Sequence, residues 1–137
     1  MDMKPDDAIR TVSHRPAVQV HKEDSLRSVA ETLTQESIGA AVVKGTHPPC
    51  IVSERDLVAA LAEGLDPRRF KAADVMTSDV AWAAPDETVL DVGLRMLDNE
   101  IRHLPLVEDG VVVGVVSARD VLAVLVGATR RAPRTPG

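Results

Sequence analysis

Residues 51–61 read IVSERDLVAAL, and residues 115–125 read VVSARDVLAVL. At this separation of 64 residues, six of the eleven pairs are identical, and four of the other five match one apolar residue with another. Self-similarity at a fixed period is typical of duplicated structural units. In both copies aliphatic residues lead into Ser-x-Arg-Asp and apolar residues at helical spacing follow. This pattern predicts a strand that runs directly into a helix.

The repeat extends toward the N-terminus at an offset of 63, and the change of offset falls between Val43 and Ile51, where a hairpin loop tolerates an insertion. In the second copy, Asp109-Gly110 between two apolar runs predicts a hairpin. The predicted elements are helices near 25–35, 54–62, 88–99 and 118–126, and strands near 40–43, 50–52, 104–107 and 111–116. The predicted organisation is a flexible N-terminus over 1–7, a first repeat over 8–64, a linker over 65–70, a second repeat over 71–127 and a disordered basic tail over 128–137.

The composition of the 137-residue chain limits its function. Apolar residues make up 45% and charged residues 27%, which is typical of a soluble domain with a packed core. Phe70 and Trp82 are its only aromatic residues, so the core must be aliphatic and stacking platforms for single-stranded nucleic acid are not expected. The net charge of −5 offers no general attraction to nucleic acids or anionic membranes. The single cysteine, the polar N-terminus and the shortness of every apolar run predict a cytoplasmic protein without a membrane span.

Three motifs add to the duplication: KAADVMT at 71–77, IRHLPLV at 101–107 and GVVSARDV at 114–121. With them, the chain resembles a tandem pair of CBS domains, also called a Bateman module, over roughly residues 8–126. The resemblance implies an α/β fold in which two βαββα repeats pack with pseudo-two-fold symmetry. It also implies a free-standing regulatory module rather than a catalyst.

The resemblance further implies what such a module binds. Adenosine-containing ligands commonly occupy the clefts between paired CBS repeats, and such pairs frequently dimerise. We therefore expect AMP, ADP, ATP or another adenosyl compound as regulatory ligand, a second copy as partner, and a regulated protein of unknown identity. No required cofactor is expected, and no metal is expected because ligand spacing for zinc does not occur in the sequence. Enzyme activity is not expected, because the sequence has neither a nucleophile elbow nor a phosphate-binding glycine loop with lysine.

A nucleotide site needs a carboxylate for the ribose diol and donors or positive charge for phosphate. Ser117 and Asp120 match the family's ribose and phosphate contacts, and the basic pair Arg102-His103 stands where the first repeat has Gly39-Ala40. We therefore expect the primary site in the second repeat. The resemblance adds a second cleft at Ser53 and Asp56, further phosphate contacts at Arg55 and Arg119, and a base slot drawn from Thr11, Val12, Ser13, Pro16, Thr77 and Ser78.

Each of these residues also has a plain structural interpretation. Ser-x-x-Asp at a helix start is a capping arrangement, His103 fits a structural histidine at a strand edge, and the two arginines fit a solvated surface. Two alternative functions stay open. One is a dimerisation or protein-interaction module with empty clefts. The other is weak nucleic-acid contact through the basic tail at Arg130, Arg131 and Arg134.

Overall fold

The computed structural model describes residues 4–12 and 16–130, with the side chains of 128–130 excepted. The predicted helices and strands are all present in the predicted order, and both predicted strand-to-helix junctions, 53/54 and 117/118, are observed. The predicted α/β fold class is therefore confirmed. The elements are a 3₁₀ turn Ile9–Thr11, β1 Gln19–Val20, α1 Leu26–Glu36, β2 Ala40–Val43, β3 Cys50–Ser53, α2 Glu54–Ala62, α3 Ala72–Val75, α4 Val89–Asn99, β4 His103–Glu108, β5 Val111–Ser117 and α5 Ala118–Arg130.

The chain forms two compact units. The central unit comprises residues 17–80, and the split unit combines residues before 17 with those from 81 onward. In the central unit β1 runs parallel to β2, and β2 runs antiparallel to β3. In the split unit β4 and β5 are antiparallel, and Ala83 forms an isolated parallel bridge to Leu106. The bridge matches the pairing of Val20 with Val43 at an offset of 63, so the sheets share one plan.

The two sequence repeats exchange their leading segments. Ala8 pairs with Thr88, and Lys71 pairs with Ser25. The Ile9 N–H donates to the Glu87 carbonyl at 2.7 Å, in the split unit. The matching Ala72 N–H donates to the carbonyl of Asp24 at 2.8 Å, in the central unit. Each leading segment therefore stabilises the first helix of the other repeat, and the compact units cut across the sequence repeats 8–64 and 71–127.

The predicted flexible N-terminus and the predicted linker both form hydrogen bonds with the starts of helices. Residues 4–7, expected to be flexible, form a turn whose Pro5 and Asp7 carbonyls accept from the first N–H groups of α4, both at 2.9 Å. The predicted linker supplies the Pro67 and Phe70 carbonyls to α1, both at 3.0 Å. The physical reason is that the first N–H groups of a helix have no partner within the helix and need acceptors from elsewhere.

The C-terminal helix is longer than predicted. It runs through Arg130, three residues into the segment expected to be a disordered tail, and the next helix-breaking proline in the sequence is Pro133. Arg131 and Arg134 lie outside the described residues. No helix in the described part of the chain combines the length and apolar character needed to cross a bilayer.

Each unit has its own aliphatic core, as the composition predicts. Helices α4 and α5 and the β4–β5 sheet enclose one core, and α1 and the β1–β3 sheet enclose the other. Within the described residues no polar or charged side chain is buried. The split-unit core consists of Ile9, Ala83, Val89, Val92, Met96, Leu104, Leu106, Val116, Val121 and Val124, and the central core of Val20, Val29, Leu33, Ala41, Val43, Cys50, Val52 and Ala72.

An ion pair links α4 to the segment that precedes it in the split unit. Arg95 donates through both terminal nitrogens to the carboxylate of Glu87, and also to the Trp82 carbonyl at 2.8 Å. The hydrogen bond from Arg95 holds the pKa of Glu87 below its ordinary value, while partial burial opposes this shift. The contact therefore stabilises the charged form of Glu87 in the folded state.

We expect Arg95→Met to lower the free energy of unfolding at neutral pH by about 1 kcal/mol, a discounted value because both side chains remain about 30% exposed. Since the folded-state pKa of Glu87 is depressed, this stabilisation is complete above the ordinary glutamate pKa of about 4.3 and is lost as the pH falls through the folded value. Urea unfolding across this range should show the variant and the wild type converging toward acid. A difference that does not change with pH would contradict the prediction.

Candidate functional site

The two strand-to-helix junctions carry the same hydrogen-bonded pair. At the first, the Ser53 N–H donates to Oδ2 of Asp56 at 2.9 Å, and the Asp56 N–H donates to Oγ of Ser53 at 3.2 Å. At the second, the Ser117 N–H donates to Oδ2 of Asp120 at 3.2 Å, and the Asp120 N–H donates to Oγ of Ser117 at 3.1 Å. Both are reciprocal capping boxes, so the capping interpretation of Ser-x-x-Asp is correct for both copies.

The capping box fixes the side chains that a ligand would meet. Ser53 is extended, with φ −109° and ψ 165°, so β3 ends where α2 begins without an intervening loop. The same strand-to-helix step joins β5 to α5 at Ser117. The N–H groups at a helix start favour negative charge. A capping carboxylate that satisfies one of these groups through one oxygen keeps its other oxygen as an acceptor.

The basic pair lies beside the second junction. His103 is the direct cross-strand partner of Ser117, and the Ala118 N–H donates to the Arg102 carbonyl at 2.7 Å. His103 is half-buried and Arg102 is exposed. The split unit thus brings together the four residues predicted for the primary site.

The first junction repeats this geometry with other residues. Ala40 is the cross-strand partner of Ser53, and the Glu54 N–H donates to the Gly39 carbonyl at 2.9 Å. The predicted alignment of Gly39-Ala40 with Arg102-His103 therefore agrees with the register of both sheets. The cross-strand register is the same at the two junctions, and only the second has an arginine and a histidine at these positions.

Thr77 contacts the carboxylate at the first junction. Its Oγ1 lies 3.1 Å from Oδ1 and 3.2 Å from Oδ2 of Asp56, and its backbone pairs with Ile51 at the edge of β3. The sequence analysis assigned Thr77 to a base slot and missed this contact. No local signal could have shown it, because Asp56 and Thr77 are 21 residues apart and meet only through the pairing with β3.

The second junction has no described counterpart of this contact. Oδ1 of Asp120 accepts no hydrogen bond from the residues that the structure describes, and Asp120 is exposed. At the 63-residue offset, His14 is the residue aligned with Thr77, and it lies outside the described residues. Oδ1 of Asp120 is therefore a suitable acceptor for a ribose hydroxyl, while Oδ2 accepts from the Ser117 N–H.

The remaining predicted base-slot residues are spread through both units. The Thr11 hydroxyl donates to the Ala8 carbonyl at 2.6 Å, and Val12 packs against the split-unit core. Pro16 and Ser78 are exposed, and Ser13 lies outside the described residues. Val12 therefore contributes to the packing of the split-unit core, and its place in a base slot stays a prediction.

Arg55 and Arg119 occupy matching positions in the first turns of α2 and α5, and both are exposed. Within the described residues no group of three His, Cys, Asp or Glu side chains converges as metal ligands. The candidate site at the second junction therefore consists of the Asp120 carboxylate, the Ser117 hydroxyl, the N–H groups at the start of α5 and nearby basic side chains.

The sequence matches a known protein family. The family model of the CBS domain matches residues 9–63 and 72–127. A mitochondrial CBS domain-containing protein of Arabidopsis thaliana, CBSX3, is 32% identical over 76% of the chain and 54% of its own length. The chain spans about half the length of the curated relatives it matches, from 42% to 62% in three of them.

Among the similar solved structures are complexes with adenosine-containing ligands. The CBS domain protein PAE2072 of Pyrobaculum aerophilum, complexed with AMP, is 28% identical, with a TM-score of 0.78 over 90% of this chain and 98% of that one. The CBS domain pair of protein MJ0100, complexed with 5′-methylthioadenosine and S-adenosyl-L-methionine, is 25% identical, with a TM-score of 0.81 over 90% and 99%.

Proposed function

This chain belongs to the CBS domain family, and on that premise we propose that it is a non-enzymatic regulatory module that binds an adenosine-containing ligand of the AMP, ADP or ATP class. The resemblance to a tandem CBS pair is confirmed by the two matched domains. A cytoplasmic location, a homodimeric state and a regulated partner protein belong to the same proposal.

One observation carries the proposal. The same Ser–Asp capping box occurs at both junctions, and only the second has a basic pair, Arg102-His103, at the strand start beside it. Capping alone requires no basic side chains at that position, and the first junction folds with Gly39-Ala40 instead. A ligand with a phosphate group explains why the two junctions differ.

Each side chain at the second junction has a role in this proposal. Asp120 accepts the ribose hydroxyls through Oδ1 while Oδ2 keeps its hydrogen bond to the Ser117 N–H. The Ser117 hydroxyl donates to ribose or phosphate while its oxygen accepts from the Asp120 N–H. Arg102 and His103 bind the phosphate, with Arg119 as a further donor from the first turn of α5.

The relatives in complex with AMP, 5′-methylthioadenosine and S-adenosyl-L-methionine support an adenosyl ligand for this chain. We assign the first junction, Ser53 and Asp56 with Arg55, to a weaker second site. A ribose there competes with the Thr77 hydroxyl, which already donates to Asp56. We further propose base slots drawn from Thr11, Val12, Ser13 and Pro16 in the split unit, and from Thr77 and Ser78 in the central unit.

Regulation follows from differential affinity. A ligand shifts a protein between two arrangements only by binding one of them more tightly. The capping boxes couple the site to the start of a helix, since the same carboxylate that receives the ribose also fixes Ser117 or Ser53. Occupancy therefore acts on α5 or α2, and a partner protein that contacts these helices senses it.

Isothermal titration with AMP, ATP, NADH and S-adenosylmethionine at physiological salt tests the proposal. We expect saturable binding of at least one of these ligands by the folded protein. Absence of heat with all four would overturn the ligand proposal and favour the second candidate, a dimerisation module with empty clefts. The exposed leucines of α4 are the observation that favours that candidate.

A further inference from the structure

An apolar groove runs along α1 in the central unit. Its larger part lies between α1 and α2 and has a volume of about 490 Å³. A smaller part of about 300 Å³ continues along α1 as far as Gln35 and shares Arg27 and Ala30 with the larger part. The groove therefore follows almost the whole of α1, about three helical turns. The apolar lining of the larger part consists of Leu26, Ala30, Leu57, Leu61 and Pro67.

Basic residues border one end of this groove. Segment 66–71 crosses the start of α1, where the Phe70 and Pro67 carbonyls accept from the Leu26 and Arg27 N–H groups, both at 3.0 Å. This segment has three cationic residues in four positions, the densest basic run in the described part of a chain whose net charge is −5. Together with Arg27 these residues form what we call the basic rim. The basic rim consists of Arg27, Arg68, Arg69 and Lys71, and all four are exposed.

The fold does not require the basic rim. In the split unit, segment 5–8 occupies the position of 68–71 at the 63-residue offset and supplies carbonyls to the start of α4 in the same way. That segment carries Asp6 and Asp7 and no cation. The positive end of the helix dipole favours acidic residues at a helix start and disfavours basic ones. The cations of the central unit therefore do not serve the stability of α1.

The basic rim also keeps cationic groups available to a partner. Among residues 4–12 and 16–130, the guanidinium groups of Arg68 and Arg69 have no ion-pair or hydrogen-bond partner. The acidic residues at the groove already have contacts within the unit. Oδ1 of Asp66 accepts from the Arg68 N–H at 3.0 Å, and Oε1 of Glu31 lies 3.9 Å from Nε of Arg27. The groove therefore combines an apolar lining with unpaired positive charge at one end.

We propose that this groove binds an acidic amphipathic helix of the regulated partner protein. Apolar side chains at i, i+4 and i+7 of the partner helix fill the groove, which is the usual way in which a helix binds between two others. Carboxylates at one end of the partner helix pair with the basic rim, and these complementary charges set the direction in which the helix lies. A nucleic acid would pair with the cations but would leave the apolar lining without a matching surface.

The groove also lies on the helix that the proposed function uses to transmit occupancy. Asp56 belongs to the capping box at the start of α2, and the next residue, Leu57, lines the groove. A partner helix in the groove therefore contacts α2 directly after the first junction. This inference rests on the proposed partner protein and not on ligand binding. Calorimetry with nucleotides tests the ligand, whereas binding of a peptide by the ligand-free protein tests the groove, so the two can fail separately.

Fluorescence anisotropy with three labelled helical peptides of about 15 residues tests the occupant. The first has leucines at i, i+4 and i+7 with flanking glutamates, the second has lysines in place of the glutamates, and the third has alanines in place of the leucines. We expect the full chain to bind the first about tenfold more tightly than either of the others. Equal binding of the first peptide and either of the others would overturn the proposal.

Two further measurements identify a different occupant. A labelled single-stranded DNA of the same net charge as the first peptide should bind more weakly than that peptide. Equal or tighter binding of the DNA would show a nucleic-acid surface and overturn the proposal. Sedimentation equilibrium of the full chain would also overturn it by showing a dimer that does not bind the peptide, because a second copy would then occupy the groove.

Matched variants locate the contact. Arg68→Glu should weaken binding of the first peptide about tenfold, whereas Lys44→Glu makes the same change of charge in the β2–β3 turn and should have little effect. Leu61→Ala, in the groove, should weaken binding more than Val58→Ala, since Val58 is similarly exposed on α2 but does not line the groove. Thermal unfolding checks that all four proteins fold. Equal losses within either pair of folded variants would contradict the assigned position of the helix.

Discussion

Asp120→Asn is expected to weaken binding of whichever adenosyl ligand the wild type binds about 10- to 100-fold, because a hydrogen bond to a charged group contributes about 1.5–3 kcal/mol. Asparagine keeps one side-chain oxygen for the Ser117 N–H, so the cap survives. Its second polar atom is an amide nitrogen, which donates and cannot accept a ribose hydroxyl. The variant thus separates ligand binding from helix capping.

Asp56→Asn is the matched control, since Ser53 and Asp56 form the same capping box in the central unit. We expect a much smaller loss of affinity, because the primary site lies in the other repeat. Calorimetry measures both variants, and urea unfolding checks that their stabilities stay close to wild type. Unchanged affinity in a folded Asp120→Asn protein would exclude the ribose role of Asp120.

Leu104→Ala is expected to lower the free energy of unfolding by about 2–5 kcal/mol, the range for a buried leucine truncated to alanine. Leu104 lies on β4 within the split-unit core and is 0% exposed. The aligned residue of the central unit is Ala41, also 0% exposed, so alanine fits the backbone at this position. The loss of stability therefore comes from the apolar burial that is removed and from the cavity that remains in the split-unit core, and not from strain in the backbone.

Urea unfolding followed by circular dichroism measures this effect. Leu97→Ala makes the same chemical change on the 75%-exposed side of α4 and serves as the control, measured at a concentration where the protein is monomeric. We expect the control to change stability by no more than about 0.5 kcal/mol. Equal losses for the two variants would show that Leu104 does not occupy a tightly packed position.

Much of the fold was predictable from local pattern. The helix predicted near residues 88–99 is observed as α4 over Val89–Asn99, and the Asp109-Gly110 turn joins β4 to β5 as expected. Thr88 caps α4 through its side chain, and Ser25 caps α1 in the same way. These features depend on residues within a few positions of one another. Sequence periodicity and capping chemistry therefore suffice to identify them.

The features that escaped prediction depend on distant pairing. The polar composition of residues 4–7 predicts a flexible end, yet the Pro5 and Asp7 carbonyls accept hydrogen bonds from the first N–H groups of α4, more than 80 residues later. The contact of Thr77 with Asp56 has the same origin, because it requires Thr77 to pair with β3. Sequence motifs located the Ser–Asp pairs and the basic pair beside Ser117. They could not show that Asp56 already has a hydrogen-bond partner.

The exchange of leading segments has a consequence for how such a chain could have arisen. The first two N–H groups of α4 donate to the carbonyls of Asp7 and Pro5, and those of α1 donate to the carbonyls of Phe70 and Pro67. A polypeptide with a single repeat would lack these acceptors for its first helix. Two single-repeat molecules could supply these acceptors by exchanging their N-terminal segments, as in a domain-swapped dimer. Fusion of two such repeats into one chain makes the exchange intramolecular and raises the effective concentration of each leading segment. The tandem arrangement is then a covalently joined swapped dimer.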